Sequence, residues 1–185
     1  MLKRDLIRNV IIALIAVVMV VILRLYVLTP YQVKAQDENL VLSAGDHILA
    51  YRLEEPERDD LVLYEVDGKT YIGRVIGKSK DYVASMDNVL YVNHEAHAEA
   101  YLLALKENYL NKTENAGYFT EDFTLETLTQ SDMKEIPDGQ FLILNDNRRN
   151  NKDSRSFGLI KKNQIEGVVG FRLSPLSKFG FLKNN

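Results

Sequence analysis

The stretch TYIGRVIGKSKDYV, residues 70–83, sets the fold class and raises the main question about function. Tyr71, Ile72, Val75 and Ile76 are the aromatic and β-branched residues that suit a pleated strand. Gly73 sits among them, where glycine loses backbone entropy and packs nothing. Just upstream, DLVLYEV (60–66) reads as a second strand, and Asp67-Gly68 between the two predicts a tight hairpin. Short apolar-alternating segments continue outward: HILAYRL (47–53), DYVAS (81–85), VLYVN (89–93), QFLIL (140–144) and IEGVVGFRL (165–173). Asp87-Asn88 and Pro137-Asp138-Gly139 supply turns between them. The pattern predicts mainly antiparallel β-structure.

One segment departs from it. EAHAEAYLLALKENYL (95–110) places Ala98, Tyr101, Leu102, Leu105 and Tyr109 at helical spacing and predicts an inserted helix, followed by a polar connection to about Glu135.

The N-terminus belongs to another class. Val10 to Leu23 is fourteen apolar residues without a charge, and the run continues past Arg24 to Leu28, the length of a bilayer-spanning helix. Lys3, Arg4 and Arg8 precede it, so the positive-inside rule places the N-terminus in the cytoplasm and the remainder outside. Val33-Lys34-Ala35 has the spacing of a signal-peptide cleavage site, but it lies twelve residues past Leu23; an uncleaved anchor is expected.

The whole chain carries a net charge of −3, and the part beyond the anchor is more acidic still, because four of the basic residues precede Leu25. Such a surface has no footprint for nucleic acid. With no cysteine there is no disulfide, thiolate nucleophile or thiolate-bound metal.

The densest polar cluster, LNDNRRNNKDSRSFG (144–158), follows the QFLIL strand. Side chains of this kind bond one another and the backbone, and Asp153 with Arg155 reads as an ion pair holding a turn. This segment resembles the last sequence box of type I signal peptidases, the membrane-anchored serine proteases of peptidase family S26. RDDLVLY (58–64) is similar to their R-G-D-I-V box, YIGRVIG (71–77) to Y-I-K-R-V-I-G, and YVN (91–93), TEDF (120–123) and IKKNQIEGVVGFRLSPL to further stretches of the Gram-positive members. The resemblance covers nearly the whole chain, in the family's order.

It implies an exported, two-lobed β-fold in which a serine attacks a peptide carbonyl while a buried lysine on a neighbouring strand takes its proton. On that alignment Gly73 stands where the lysine belongs, Asp37 where the serine belongs, and Asn151 where a hydroxyl orients the lysine. Glu38 falls on the following Met, Leu40-Val41 on a Pro-Thr pair, Asn145 on a leading Gly, and Ala35 on a serine that stabilises the oxyanion in some members. Arg74, Asp146, Arg148, Asp153 and Arg155, which shape the scaffold, still match. Gln36, Asp37, Glu38 and Gly73 are the expected lining of the peptide groove, and no catalytic residue is assigned.

Replacements fare poorly. Ser43, with Lys34, Lys78 or Lys80 as base, lies six residues beyond Asp37, about 20 Å of extended chain. Asp37 and Glu38 point to opposite faces of an extended segment and do not form a carboxylate dyad. His94, Glu95, His97 and Glu99 lack a metal-binding spacing. No cofactor and no metal are expected.

The expected organisation is a cytoplasmic tail (1–9), an anchor (10–28), a core β-domain (29–93 with 136–185) and an inserted cap (94–135). The expected function is that of a non-catalytic, peptide-binding or chaperone-like accessory factor in the cell membrane, with exported precursors as partners. The resemblance to degenerate members associated with streptococcal pili adds pilin subunits and a sortase. The alternatives are an active signal peptidase and a tethered β-module that binds no peptide.

Overall fold

The computed structural model describes residues 2–39, 41–112 and 117–182. Helix α1 spans Leu2–Ile22 and continues as a wider π-helical turn, Leu23–Val27. Together they give a helix from Lys3 to Val27 long and apolar enough to cross a membrane, with its large apolar side chains from Leu6 to Tyr26 exposed. The chain then enters β1 (Leu28–Gln32) directly, so residue 28, expected at the end of the anchor, belongs to the sheet.

The remaining strands are β2 (His47–Tyr51), β3 (Leu61–Val66), β4 (Lys69–Gly77), β5 (Val83–Met86), β6 (Val89–Val92), β7 (Glu95–His97), β8 (Phe123–Thr124), β9 (Gln140–Leu144), β10 (Ile160–Lys161), β11 (Ile165–Ser174) and β12 (Gly180–Phe181). All strand pairings among the described residues are antiparallel. The larger sheet runs β1-β2-β11-β3-β4-β9-β10, with β12 beside β11, and the smaller runs β7-β6-β5-β8. The smaller sheet thus takes β5 and β6 from within residues 29–93 and joins them to β7 and β8 from within 94–135.

Turn chemistry explains the hairpins. Asp67 and Gly68 both adopt positive φ, as do Asp87 and Asn88, giving the twist that two-residue loops need. The helix expected over 95–110 starts late: 95–97 forms β7, Ala100–Leu102 a 3-10 turn, and only Leu103–Lys112 is α-helical (α2). Pairing of Tyr91 and Val92 with Ala96 and Glu95 overrides the helical propensity of the first turn. Two short helices complete the chain, α3 (Leu125–Thr129), capped by Thr124, and α4 (Ser154–Phe157), capped by Asp153. Residues 113–116 of the polar connection lie outside the described residues.

Three apolar clusters hold these layers. One, containing Val33, Leu42, Ile48, Leu61, Leu63 and Ile72, lies on one face of the larger sheet; another contains Val62, Tyr64, Val75, Phe141 and Ile143. A third joins Ile76 and Leu142 to Val83, Leu90 and Phe123 of the smaller sheet. Val33 is buried and β1 is paired along its length, so a cut after Ala35 would remove a strand and a core residue.

Candidate functional site

The site is organised by the uneven pairing of β4. Against β3 it pairs from Lys69 through Arg74, but against β9 only from Arg74 onward. Among the described residues, the first half of β4 therefore has one edge with no strand beside it. The chain after β1 returns to that edge as a 3-10 turn, Ala35–Asp37, and buries Asp37 to 3% exposure. The Asp37 carboxylate accepts a hydrogen bond from the Tyr31 hydroxyl at 2.9 Å, and that hydroxyl lies 3.5 Å from the carbonyl oxygen of Thr70. Burial pushes the Asp37 carboxyl above the usual carboxylate range; Tyr31, the backbone N–H groups of Ile72 and Lys34, and the Lys34 charge offset part of that shift. The Tyr31 hydroxyl is pushed up as well, by burial and then by Asp37. From the other side, the Asn150 side chain donates to the Gln36 carbonyl at 3.0 Å and fixes the turn against the 144–158 loop.

Gly73 faces the opposite side of β4 from Ile72, toward the cluster of Tyr64, Val75 and Ile143. A Cβ there would lie 2.5 Å from Ile143 Cγ2 and 3.2 Å from both the Leu144 oxygen and Tyr64 Cε1. Its neighbours have closed over the position. Tyr64 is fully buried, its phenol pushed up by burial and by the nearby Asp153 and Asp37 carboxylates. Its ring begins a stack, with Tyr71 at 5.8 Å and Phe157 beyond it at 5.0 Å from Tyr71.

The 144–158 loop is a network of buried charges. Arg74 grips Asp146 through two parallel bonds, Nε to Oδ1 at 2.9 Å and Nη2 to Oδ2 at 2.8 Å, and lies 4.0 Å over the Tyr101 ring. Asp153 receives Arg155 at 2.6 and 3.0 Å and the Asn145 N–H at 2.9 Å, while Arg155 reaches the carbonyls of Arg148 and Asn150. Arg148, fully buried, pairs with Glu99, which also accepts from Tyr101. Ser154 accepts from the Ile143 N–H at 2.9 Å, so this loop also holds the residue that fills the space at Gly73.

The structure thus brings Gln36 and Asp37 against the strand that carries Gly73. Glu38 goes elsewhere: it is exposed, and its carboxylate accepts the Ala44 N–H at 2.8 Å within its own loop. Asn151 is exposed and lines a shallow polar cleft with Glu121, Asp122 and Gln130 beside α3. Leu40 lies outside the described residues. Sequence reasoning missed Tyr31, Tyr64, Ile143 and Asn150; an aromatic six residues before a carboxylate carries no signal until the strand pairing is known.

Ser43 does meet a lysine, though none of those expected: Lys178 Nζ stands 3.5 Å from its hydroxyl. The contact is exposed, without the burial that makes a lysine a base, and the N–H groups of Ser43 and Ala44 are taken by the carboxylates of Asp46 and Glu38. Those carboxylates occupy the two backbone N–H groups that an oxyanion would draw on there. His94 stacks on Tyr82 at 4.3 Å, and His97 bonds Asp59 at 3.1 Å.

Known proteins agree with this architecture. Residues 6–174 match the family model described as signal peptidase, peptidase S26. The chain is 34% identical to signal peptidase IB of Staphylococcus aureus (strain MRSA252), over 97% of this chain and 95% of that protein. It is 36% identical to signal peptidase I of Bacillus caldolyticus, over 90% and 91%. The crystal structure of a signal peptidase I from Enterococcus faecalis V583 superposes with a TM-score of 0.56 at 34% identity, covering 62% of this chain and 97% of that one. An apolar N-terminal helix leading into this β-fold, with matches along nearly its whole length, makes the chain a member of the signal peptidase family, peptidase S26.

Proposed function

We propose that this chain is a signal-peptidase-like protein, anchored by α1 with its β-domain outside the cell, that binds exported precursor proteins without cutting them. The observation that carries this reading is the tight space at Gly73, where even a Cβ would stand 2.5 Å from Ile143 Cγ2 and 3.2 Å from Tyr64 Cε1. A serine hydroxyl is a weak nucleophile until a base stands within hydrogen-bond reach. At position 37 there is no hydroxyl either, and a carboxylate there repels a developing oxyanion. Losing nucleophile or base costs a serine protease on the order of 10⁴- to 10⁶-fold in rate. What remains is a scaffold whose buried charges keep the β4 edge and its loops in place. Pilin subunits and a sortase are the proposed cellular partners, on the resemblance to pilus-associated members.

The competing reading, an active signal peptidase, draws on the names of relatives at 34–36% identity. The two separate when the full chain in detergent is incubated with a precursor bearing a signal peptide and the product masses are read. No cleaved product is expected, while the precursor is retained on immobilised protein. Cleavage that persists in purified material and disappears on mutating Ser43 would hand the assignment to the peptidase. Restoring activity needs room as well as chemistry: Asp37→Ser with Gly73→Lys is expected to stay inactive unless Ile143→Ala opens the space.

A further inference from the structure

The unpaired half of β4 is where the molecule is least finished and, at the same time, best covered. In an antiparallel ladder the backbone groups of alternate residues point to alternate sides. Val75 exchanges bonds with the chain at Asp59 and Asp60 on the β3 side. Residues 70, 72 and 74 therefore aim their N–H and C=O groups the other way. Arg74 meets Leu144 of β9 there. Thr70 and Ile72 meet two side chains instead: the Tyr31 hydroxyl beside the Thr70 carbonyl, and the Asp37 carboxylate, which draws on the Ile72 N–H. The two are joined by their own 2.9 Å hydrogen bond. An acceptor for one residue and a hydroxyl beside the carbonyl two residues earlier are what an added strand would present at this edge.

We propose that the Tyr31–Asp37 pair is an intramolecular stand-in for a peptide strand, masking the free edge of β4 at Thr70–Ile72, so that an extended peptide docks there only by displacing it. This rests on the peptide-binding reading above and adds its regulation. Strand addition draws its affinity from main-chain bonds, so the occupant is an extended segment with free backbone N–H and C=O groups and little demand on side-chain identity. The mask opens from its Asp37 end. Asp37 sits on a three-residue turn tied across to the 144–158 loop by the Asn150–Gln36 bond, whereas Tyr31 is held in β1, paired with Ile48 and packed against the Val33 cluster. Opening it leaves the buried ion pairs of that loop intact.

The test uses the full chain in detergent, a fluorescein-labelled ten-residue peptide of alternating valine and threonine, and the same peptide N-methylated at every second residue. Removing the mask by Asp37→Ala is expected to tighten binding of the unmodified peptide about tenfold or more, and Tyr31→Phe to tighten it less. The N-methylated peptide should bind no form. Without peptide, amide exchange at Ile72 should be slow in the native chain and about tenfold faster in Asp37→Ala, with Arg74 unchanged as the sign that β4 and β9 remain paired. Native protein that binds as tightly as both variants, or Ile72 exchange that ignores Asp37→Ala, overturns the mask while leaving peptide binding standing. If no form binds peptide, the mask and the reading beneath it both fall.

Discussion

Two regions of this molecule bury charge within one loop's reach of each other, and they do it in opposite ways. In the 144–158 loop each buried carboxylate faces a guanidinium: Asp146 with Arg74, Asp153 with Arg155. At the β4 edge Asp37 is buried with a phenol and backbone N–H groups, and among the described residues no cation forms an ion pair with it, the Lys34 charge acting without a direct bond. Pairing keeps a carboxylate ionised at little cost, whereas burial without a close cation raises its pKa. The difference separates a scaffold held by paired charges from an edge where a carboxylate is buried without a close guanidinium.

The largest expected effect lies on the scaffold side. Asp146→Ala strips a fully buried guanidinium of its bidentate partner and should cost about 3–5 kcal/mol in chemical denaturation, whereas replacing both Arg74 and Asp146 by apolar residues of similar volume should cost far less. A loss under about 1 kcal/mol for Asp146→Ala would remove the contrast between the regions.

Next comes the packing at Gly73. Gly73→Ala places a Cβ against Ile143 Cγ2 and the Leu144 carbonyl, an overpacking expected to cost about 1–3 kcal/mol. Ile143→Ala alone leaves a cavity and costs about 2–5 kcal/mol. In the double variant the methyl and the cavity compensate, so the cycle should show a coupling of about 0.5–3 kcal/mol. Strict additivity would mean that the site can yield to a larger side chain and that the space at Gly73 is not closed.

That coupling shows where sequence reading runs out. QFLIL became β9 with the expected bounds and the strand read within residues 70–83 became β4, because β-branched alternation and Asp-Gly turns are local signals. The Asp153–Arg155 pair was legible for the same reason, being two residues apart around a helix cap. Gly73 was legible as an anomaly, but what fills its missing side chain is Tyr64 from across the hairpin and, above all, Ile143 of β9, far along the chain. Glu38 read as part of the groove by adjacency to Asp37, yet the 3-10 turn sends it to Ala44. Strands β1, β7, β8, β10 and β12 escaped because they are short or continuous with helical sequence, and their pairing partners rather than their composition make them strands.

A smaller effect tests Asp37 directly. A carboxyl whose folded pKa is raised makes the native state bind more protons than the unfolded one, so stability falls as pH rises from about 3.8 through the folded value. Asp37→Asn removes that penalty and should be more stable than the native chain at neutral pH, by no more than about 1 kcal/mol, the two converging as pH falls toward 3.8. The groups facing this carboxylate, Tyr31, Lys34 and Tyr64, are unchanged by the substitution. Asp81 should give the opposite sign. Burial pushes its carboxyl up, but bonds from the Lys78 N–H, Arg58 and Asn93 outweigh that and hold it below the usual range. Its contribution is therefore present above about 3.8 and lost as pH falls through the folded value, and Asp81→Asn destabilises at neutral pH.

The smallest effect is expected where serine and lysine do meet. Ser43 and Lys178 are 3.5 Å apart on the surface, in a turn whose N–H groups already serve the Asp46 and Glu38 carboxylates. An exposed contact of this kind organises nothing, so Ser43→Ala and Lys178→Ala should each shift stability by less than about 0.5 kcal/mol. Peptide affinity and the absence of cleavage should stay the same. The pair matters because it sets a serine beside a lysine: proximity of the two residue types is not catalysis unless the amine is desolvated and donors await the oxyanion, and here carboxylates take the nearby backbone N–H groups.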